Sequence, residues 1–296
     1  MKSIRKILAA TDFSFHAHRA ARRAGFLARE HDATLRLLHV INSNTAMSAF
    51  QFGVEPPLDL DQRVAQDAQR GLESLAGDVA APNLVVEREV RTGIVLDQIL
   101  AAADEADILV LGPRGLRPIH ELILGTAAER LLNKSHRPMI VVKQDPTREY
   151  RRVLVPVDFS EHSMTALRFA RSLAPTAEIG LFHALEAPAE GTLRNAAVAE
   201  ESINAYRSQV ERDARGQMDK LIADAGEMRG PLLPMLQKGD PRLQINAMAE
   251  SYAADLIVIG KHGRSRISEF FLGGATRLTL ARAQCDVAVV PEASGQ

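Results

Sequence analysis

Three glycines and a threonine in the stretch LGPRGLRPIHELILGT, residues 111–126, have the spacing of a site that binds an anion. Gly112 and Gly115 follow an apolar run, where glycine allows a sharp turn whose N–H groups can form a concave anion nest. Gly125 and Thr126 precede AAERLL, a strong helix start whose unpaired N–H groups and dipole favour negative charge. The pattern therefore indicates a cradle for phosphate groups.

A purely structural explanation of the same glycines stays open. Glycine after a parallel strand is common simply as a turn, and Gly125 can serve only to let a helix pack closely. Two arginines, Arg114 and Arg117, supply cations in this stretch and favour the ligand interpretation. The spacing also returns later in the chain, but a duplication preserves packing glycines as readily as binding ones.

The chain contains two copies of one sequence pattern. The paired segments are KILAATDFS (6–14) and RVLVPVDFS (152–160), LRLLHVI (35–41) and IGLFHAL (179–185), DILVLGPRG (107–115) and DLIVIGKHG (255–263), LILGTAAERLL (122–132) and FFLGGATRLTL (270–280), and PMIVVK (138–143) and DVAVVP (286–291). This pairing places Asp12 opposite Asp158. A polar seam, KQDPTREYRR, separates the copies and contains a linker proline. We therefore expect two domains, residues 1–146 and 147–296.

Within each copy, short apolar runs alternate with longer helical stretches. In the first copy KILAAT, TLRLLHVI, LVVEREV, DILVLG and PMIVVK are near-continuous apolar segments, typical of parallel strands covered on both faces. Helical spacing predicts helices over 16–31, 59–76, 94–106 and 126–135. The alternation predicts an α/β fold in which each copy is an open, doubly wound, five-stranded parallel sheet of Rossmann-like type. Ligands of such sheets lie beyond the carboxyl ends of the strands, where strand order reverses, and both glycine series fall there.

Composition and charge exclude several classes of protein. The 296 residues suit two domains, with 46% hydrophobic and 25% charged residues. A formal net charge of −1 argues against an extended nucleic-acid surface or a polybasic membrane anchor. The single cysteine, Cys285, excludes an intrachain disulfide framework and a Cys-rich metal site. Because no signal peptide or membrane-spanning run is evident, we expect a cytoplasmic protein.

Each copy resembles a domain of the universal stress protein (UspA) family, and the whole chain resembles its tandem members. The nucleotide-binding signature of that family, G-x2-G-x9-G-[ST], is matched fully by Gly112, Gly115, Gly125 and Thr126. The openings TDFS and VDFS, the LLHV strand and the terminal VV strand match as well. The resemblance covers nearly all of the chain and implies the fold of the adenine nucleotide alpha hydrolase-like proteins.

The resemblance implies an adenine nucleotide as the ligand: ATP, or ADP or AMP, with magnesium or manganese assisting at the phosphate tail. In the first copy it assigns the adenosine end to Asp12, the adenine edge to the backbone of Val40, and the ribose and phosphates to Gly112, Arg114, Gly115, Gly125 and Thr126. In the second copy the matching positions are Asp158, Ala184, Gly260, Gly263, Gly273 and Gly274.

The second copy departs from the signature at one position, where Gly274 replaces the serine or threonine. The lost hydroxyl removes one neutral hydrogen bond, on the order of 0.5–1.5 kcal/mol. The loop GKHGRSR offers Lys261, Arg264 and Arg266 as cations, and the backbone N–H of Gly274 remains. Our hypothesis is a competent first site and a weaker second one.

The aspartates that follow the first strand of each copy also have a structural interpretation. Asp12 and Asp158 can help to begin the next helix, and Ser14 and Ser160 stand where N-cap residues are expected. The apolar terminal strands PMIVVK and DVAVVP are expected at sheet edges, which need covering. In the family these strands mediate dimer contacts, which here the two copies can satisfy within one chain; a homodimer is the alternative.

Two longer segments are interpreted from composition. Residues 42–62 contain Pro56 and Pro57 and are expected to form a mobile loop, with a nucleotide lid or a partner-docking surface as alternatives. The charged segment 198–225 is expected to be a helix with a solvated face.

The function expected from these residues is regulatory binding of an adenine nucleotide in a stress response. His39 and His183 are interpreted as hydrogen-bonded core histidines, because no Ser or Cys nucleophile pattern accompanies them. No catalytic residue and no protein ligand for a metal is predicted. A nucleotide-free module that binds a protein or a small apolar ligand, and a slow ATPase, remain the alternative functions.

Overall fold

The structure, a computed structural model, describes residues 3–43, 59–113, 126–226, 230–263 and 272–292. The strands are β1 (Lys6–Ala10), β2 (Thr34–Asn42), β3 (Val86–Gly93), β4 (Ile108–Leu111), β5 (Met139–Val141), β6 (Arg152–Pro156), β7 (Glu178–Leu185), β8 (Leu232–Lys238), β9 (Leu256–Gly260) and β10 (Asp286–Val290). The helices are α1 (Phe15–Glu30), α2 (Leu60–Val79), α3 (Val95–Asp104), α4 (Thr126–Lys134), α5 (Glu161–Leu173), α6 (Glu190–Asn195), α7 (Glu200–Ala225), α8 (Pro241–Ser251) and α9 (Gly274–Arg282). Most of the loop predicted over 42–62 lies outside the described residues.

Contacts within the chain divide it into two units, Met1–Glu149 with Gln284–Gln296, and Tyr150–Ala283. In the first unit five strands are parallel in the order β3-β2-β1-β4-β5. Strand β1 therefore lies between β2 and β4, which is where the strand order reverses. The doubly wound five-stranded sheet predicted for the first copy is confirmed.

The last strand of the chain joins the sheet of the first unit. β10 pairs antiparallel with β5, with Val287 opposite Val141 and Val289 opposite Met139. The expectation that β5 lies at a sheet edge is therefore wrong, because β5 lies between β4 and β10. Both strands are buried throughout, so the pairing covers an apolar edge that would otherwise be exposed.

The second unit repeats the arrangement with four parallel strands in the order β8-β7-β6-β9. Strand β6 lies between β7 and β9, which again marks a reversal of strand order. The second copy supplies five strands, β6 to β10, as predicted, and the last of them, β10, groups by its contacts with the first unit.

Strand β3 is less buried than its sequence predicts. It ends the order of parallel strands in the first unit, and Glu87 and Arg88 are exposed. The prediction that both faces are covered is therefore wrong for β3. The apolar start LVV suggested a strand covered on both faces, whereas the charged residues that follow suit an edge.

Local chemistry explains where the first helix of each copy begins. The hydroxyl oxygens of Ser14 and Ser160 accept the N–H groups of Ala17 and Ser163 at 3.2 and 3.4 Å, which confirms both as N-caps. The charged helix α7 buries only Ile203, Ala214, Met218 and Leu221, so the rest of its surface is solvated as expected. Within the part of the chain that the structure describes, no helix combines the length and apolar character needed to cross a bilayer.

A buried ion pair fixes the beginning of β10 to the first unit. Arg23 Nε lies 3.3 Å from Asp286 Oδ2, and the Asp286 side chain is fully buried. The other carboxylate oxygen of Asp286 accepts the N–H groups of Lys143 and Gln144, at 2.7 and 3.0 Å. Arg23 also donates to the carbonyl of Arg148 at 2.7 Å. One carboxylate thus joins α1, the segment after β5, and β10.

Candidate ligand site

The first strand of each unit ends in the same tight turn. Phe13 and Phe159 adopt left-handed backbone, with φ of 60° and 63°. Asp12 and Asp158 each accept, through Oδ1, the N–H of the serine two residues on, at 3.0 and 3.1 Å. Left-handed backbone is unfavourable for bulky residues, so contacts elsewhere must stabilise this turn. One carboxylate oxygen of each aspartate, Oδ1, therefore has the structural role of holding the turn before the helix.

A histidine ring from the next strand supports each turn. The ring of His39 stacks on Phe13 with centroids 4.4 Å apart, and His183 lies against Phe159 at 4.3 Å. Each histidine Nδ1 lies 2.8 Å from the carbonyl oxygen of the residue before the aspartate. A carbonyl can only accept, so Nδ1 carries the hydrogen and Nε2 is an acceptor in the neutral ring. Both histidines are hydrogen-bonded as expected, but they are half-buried, and His183 lines a cavity.

All the positions assigned to the second site meet in one place. A cavity of about 370 Å³ is lined by Asp158, Ala184, Gly260, Gly263, Gly273 and Gly274. It lies at the carboxyl ends of β6, β7 and β9, where strand order reverses. Phe182, Ile245 and Ile259 add apolar surface to its wall. Its volume and mixed lining suit a small organic ligand.

The glycines of this cavity are required for different reasons. A Cβ on Gly263 would lie 3.0 Å from Asp158 Oδ2, so glycine lets the loop approach the carboxylate. A Cβ on Gly260 would lie 3.2 Å from His162 Cβ, which is a packing requirement. At Gly274 the nearest atom is Arg242 Cδ at 4.0 Å, so there is space for a side chain. Crowding therefore does not explain why the second copy has glycine, and no hydroxyl side chain, at position 274.

The first turn of α9 lines the same cavity. Gly273 is the N-cap residue, and no side chain caps this helix. Gly274, Ala275 and Thr276 all face the cavity, which brings the N-terminal end of a helix dipole to its wall. The hydroxyl of Thr276 is committed elsewhere, since it donates to the carbonyl of Gly260 at 2.9 Å. Backbone N–H groups are thus the donors that this turn offers to a ligand.

Sequence reasoning missed further residues that line this cavity: Ser163, Glu186, His262 and Thr276. Ser163 Oγ donates to Asp158 Oδ1 at 2.7 Å and accepts the Asp158 N–H at 2.9 Å, so it orients the carboxylate. A signal for His262 was present, because it occupies the position of Arg114 in the repeat. The first copy has alanine at the position of Ser163, which hid its role.

One predicted cation does not line the cavity. Lys261 is only 7% exposed and is not among the lining residues. Its carbonyl accepts the N–H of Gly273 at 3.1 Å, so its backbone holds the loop against the start of α9. The expectation that the loop offers Lys261 as a cation to the second site is therefore wrong for this cavity. Arg264 and Arg266 lie outside the described residues.

The first copy is described in part. Asp12 follows β1 and half-exposed Val40 pairs with Arg91 between β2 and β3. A Cβ on Gly112 would lie 2.9 Å from the backbone of His16, so the packing interpretation applies to this glycine. Thr126 is the first residue of α4. The other predicted residues, which lie outside the described part, are Arg114, Arg117, Gly115 and Gly125.

Comparison with known proteins identifies the family. The sequence model of the Universal stress protein family matches the chain twice, over residues 3–143 and 149–291. The chain belongs to the universal stress protein family. It is 24% identical to a universal stress protein of Mycolicibacterium smegmatis over 292 residues, which cover 96% of each chain. It is 27% identical to universal stress protein G of Escherichia coli O157:H7 over 127 residues, 42% of this chain and 87% of that protein.

A solved structure shares the fold across the full length. A universal stress protein from Archaeoglobus fulgidus superimposes with a TM-score of 0.71 at 21% sequence identity, and the match covers 97% of this chain and 98% of that one. At this identity the likeness concerns the fold alone. The tandem organisation read from the sequence is therefore that of a two-domain universal stress protein.

The charged and titratable side chains at the glycine-lined cavity of the second copy come from two kinds of residue. Asp158 and Glu186 contribute carboxylates, and His183 and His262 contribute imidazoles. His262 lies edge-on to His162, with ring centroids 6.3 Å apart. Among the described residues that line this cavity there is no lysine or arginine, so the N-terminus of α9 is the source of positive potential in the wall.

Proposed function

We propose that this universal stress protein binds an adenine nucleotide where strand order reverses and acts as a regulatory module in a stress response. The observation that carries the proposal is the convergence of all the second-copy positions on one cavity beside a helix N-terminus. These residues come from four separate segments of the chain. Their meeting supports a ligand role more strongly than the glycine spacing alone.

The proposed pose follows the chemistry of the cavity wall. The adenine lies against apolar Phe182 and Ile259 and reads the backbone at Ala184, the residue before the last in β7. The ribose lies towards Asp158, whose Oδ1 is held by serine hydroxyl and N–H groups while Oδ2 faces the Gly263 loop. The phosphates lie on the loop N–H groups and the first turn of α9.

The proposal assigns no metal ligand to the protein. Among the residues that the structure describes, no three His, Cys, Asp or Glu side chains are grouped to hold an ion. Magnesium or manganese would be bound through phosphate oxygens of the nucleotide, which are ordinary ligands for these ions. Nucleotide affinity should therefore be measured with and without magnesium.

We further propose that the first site is the stronger one. Thr126 supplies the hydroxyl that Gly274 lacks, a difference on the order of 0.5–1.5 kcal/mol. The direct test is to denature freshly purified protein and to identify and count the released nucleotide by chromatography. About one nucleotide per chain, reduced in Thr126→Ala, is the expected result, since the weaker site loses ligand during purification.

Other outcomes separate the alternatives. Two nucleotides per chain would contradict the ranking of the sites. If no nucleotide is released and added millimolar ATP with magnesium does not bind, the nucleotide-free module becomes the better explanation. Steady, metal-dependent phosphate release that is lost in Gly115→Val would favour a slow ATPase.

A further inference from the structure

A second cavity of about 510 Å³ lies beside the proposed nucleotide site of the second unit. It is formed by the residues after β7, by α6 and α7, and by the end of β8. The two cavities share Glu186 in their linings. None of the positions assigned to the nucleotide by the repeat lines this second cavity.

Inside the second cavity a carboxylate is held by an arginine fork. Arg207 Nε donates to Glu190 Oε2 at 2.9 Å, and Arg207 Nη2 donates to Glu190 Oε1. Arg194 Nε adds a third contact, 3.3 Å from Glu190 Oε1. The hydrogen bonds from Arg207 and Arg194 lower the pKa of Glu190 to about 2, so this carboxylate is ionised at neutral pH. This is the geometry with which arginine recognises carboxylate ligands.

The two sides of this ion pair differ in how firmly they are anchored. Arg207 is on α7, one turn after Ile203, which is 1% exposed and packs that part of the helix. Glu190 is on α6, a helix of six residues with no buried side chain. The cation is therefore fixed by the fold, whereas the carboxylate is on a segment with little apolar burial to hold it.

The rest of the lining distinguishes the kind of ligand that fits. Leu185, Pro188 and Val210 give an apolar wall next to the arginine fork. Lys238 adds a cation from the end of β8. Two of the acidic residues in the lining are paired with arginines that are not part of the lining: Glu211 with Arg215 and Asp240 with Arg242.

We propose that this cavity binds a small carboxylate with an apolar chain, whose carboxylate replaces Glu190 on Arg207. The apolar chain lies against Leu185 and Val210, where its surface is removed from contact with water. Lys238 balances the charge of the incoming carboxylate. Glu190 moves away from Arg207 together with α6, and this movement exposes no buried side chain because α6 has none. The site is separate from the nucleotide site, and its occupation does not require the nucleotide to be bound.

The test uses hexanoate as the probe and hexylamine and inorganic phosphate as comparisons, with binding to the whole chain measured by titration calorimetry. Glu190 is a tethered competitor at an effective concentration in the millimolar range, so Glu190→Gln should tighten hexanoate binding roughly tenfold. Arg207→Gln should abolish it. Arg212→Gln is the matched control, because Arg212 is on the same helix and neither it nor its partner Gln209 lines the cavity.

Circular dichroism of each variant shows whether it is folded, and Glu190→Gln tests the proposal even if Arg207→Gln does not fold. The proposal is overturned if folded Glu190→Gln protein does not bind hexanoate more tightly than the wild type. It is equally overturned if hexylamine or phosphate binds as well as hexanoate, or if saturating ATP displaces hexanoate. Unchanged ATP binding in Glu190→Gln would keep this result independent of the proposed nucleotide function.

Discussion

The two copies keep the same turn after their first strand but differ where the last strand of the chain attaches. In both, the strand is connected to the helix by an aspartate, a phenylalanine with left-handed backbone and an N-cap serine. Nine residues after that serine the first copy has Arg23, whereas the second has Phe169, which is buried. Asp286 is the first residue of β10, and the matching position in the first copy is Pro138, directly before β5.

This difference shows what the duplication had to change. Two identical copies would offer two equivalent apolar terminal strands, and nothing would distinguish their attachments. A buried charge is unfavourable unless it is paired. The cation that lies against the buried Asp286 carboxylate is Arg23 on α1, so the pair specifies where β10 begins. The two copies thus share the local turn and differ in the non-local contact between Arg23 and Asp286.

The largest expected effect comes from breaking this pair. Asp286→Asn leaves Arg23 buried beside a neutral amide, and we expect a loss of about 3–5 kcal/mol in the free energy of unfolding. Urea denaturation measures it. Asn keeps an acceptor for the N–H groups of Lys143 and Gln144, so the double variant Arg23→Leu with Asp286→Asn should recover most of the loss. A loss below about 1 kcal/mol in the single variant would show that the pair does not specify the strand.

The next effect compares the equivalent glycines Gly112, directly after β4, and Gly260, the last residue of β9. A Cβ on Gly112 would lie 2.9 Å from the backbone of His16, whereas on Gly260 the contact with His162 Cβ is 3.2 Å. Gly112→Ala should therefore destabilise the protein by about 1–3 kcal/mol, and Gly260→Ala by less. Thermal unfolding of both variants is the measurement. Equal losses would mean that the two glycines have the same packing role.

A smaller effect arises at the end of α1, which has 16 residues whereas α5 has 13. Burial, followed by the charge of Glu149, raises the pKa of Glu30 to about 7. The folded state therefore holds this proton more tightly than the unfolded state. The stabilisation is complete below the unfolded pKa of about 4.5 and is lost as the pH rises towards 7.

Glu30→Gln should remove this pH dependence. Because Glu30 is partly exposed, we expect the wild type to lose about 1–2 kcal/mol relative to the variant between pH 5 and pH 8. Denaturation at several pH values measures both proteins. Parallel stability curves would show that Glu30 is not the group that titrates.

The sequence was a good guide wherever the determining chemistry is local. Hydroxyls placed before a helix specify an N-cap, so Ser14 and Ser160 were predictable. Alternating apolar and helical segments specify a doubly wound sheet, and the repeat brought Asp158 and Gly263 to the same predicted site. The cavity in the structure brings these two residues together.

Non-local contacts were not predictable in the same way. Nothing near Asp286 in the chain indicates that its partner is Arg23, more than two hundred residues earlier. The apolar composition of PMIVVK and DVAVVP indicated that both strands need covering, but the pairing depends on how the sheet is assembled. The role of Glu190 was equally hidden, because a charged segment gives no sign of a cavity beside it.

The smallest effect separates the two proposed nucleotide sites. Gly274 has space for a side chain, since the nearest atom to an added Cβ is 4.0 Å away. Gly274→Thr should therefore strengthen nucleotide binding at the second site by about 0.5–1.5 kcal/mol, a factor of about 2–10 in affinity. Thr126→Gly should weaken the first site by a similar amount. Titration calorimetry of each variant resolves the two sites.

The combined variant sharpens this comparison. If the hydroxyl is the main difference between the sites, exchanging it in both copies should reverse their order of affinity. The total nucleotide bound at saturation should not change, because each site keeps its loop and its helix terminus. Retention of the original order would show that the sites differ through other residues, and the replacement of Arg114 by His262 would then be the next substitution to exchange.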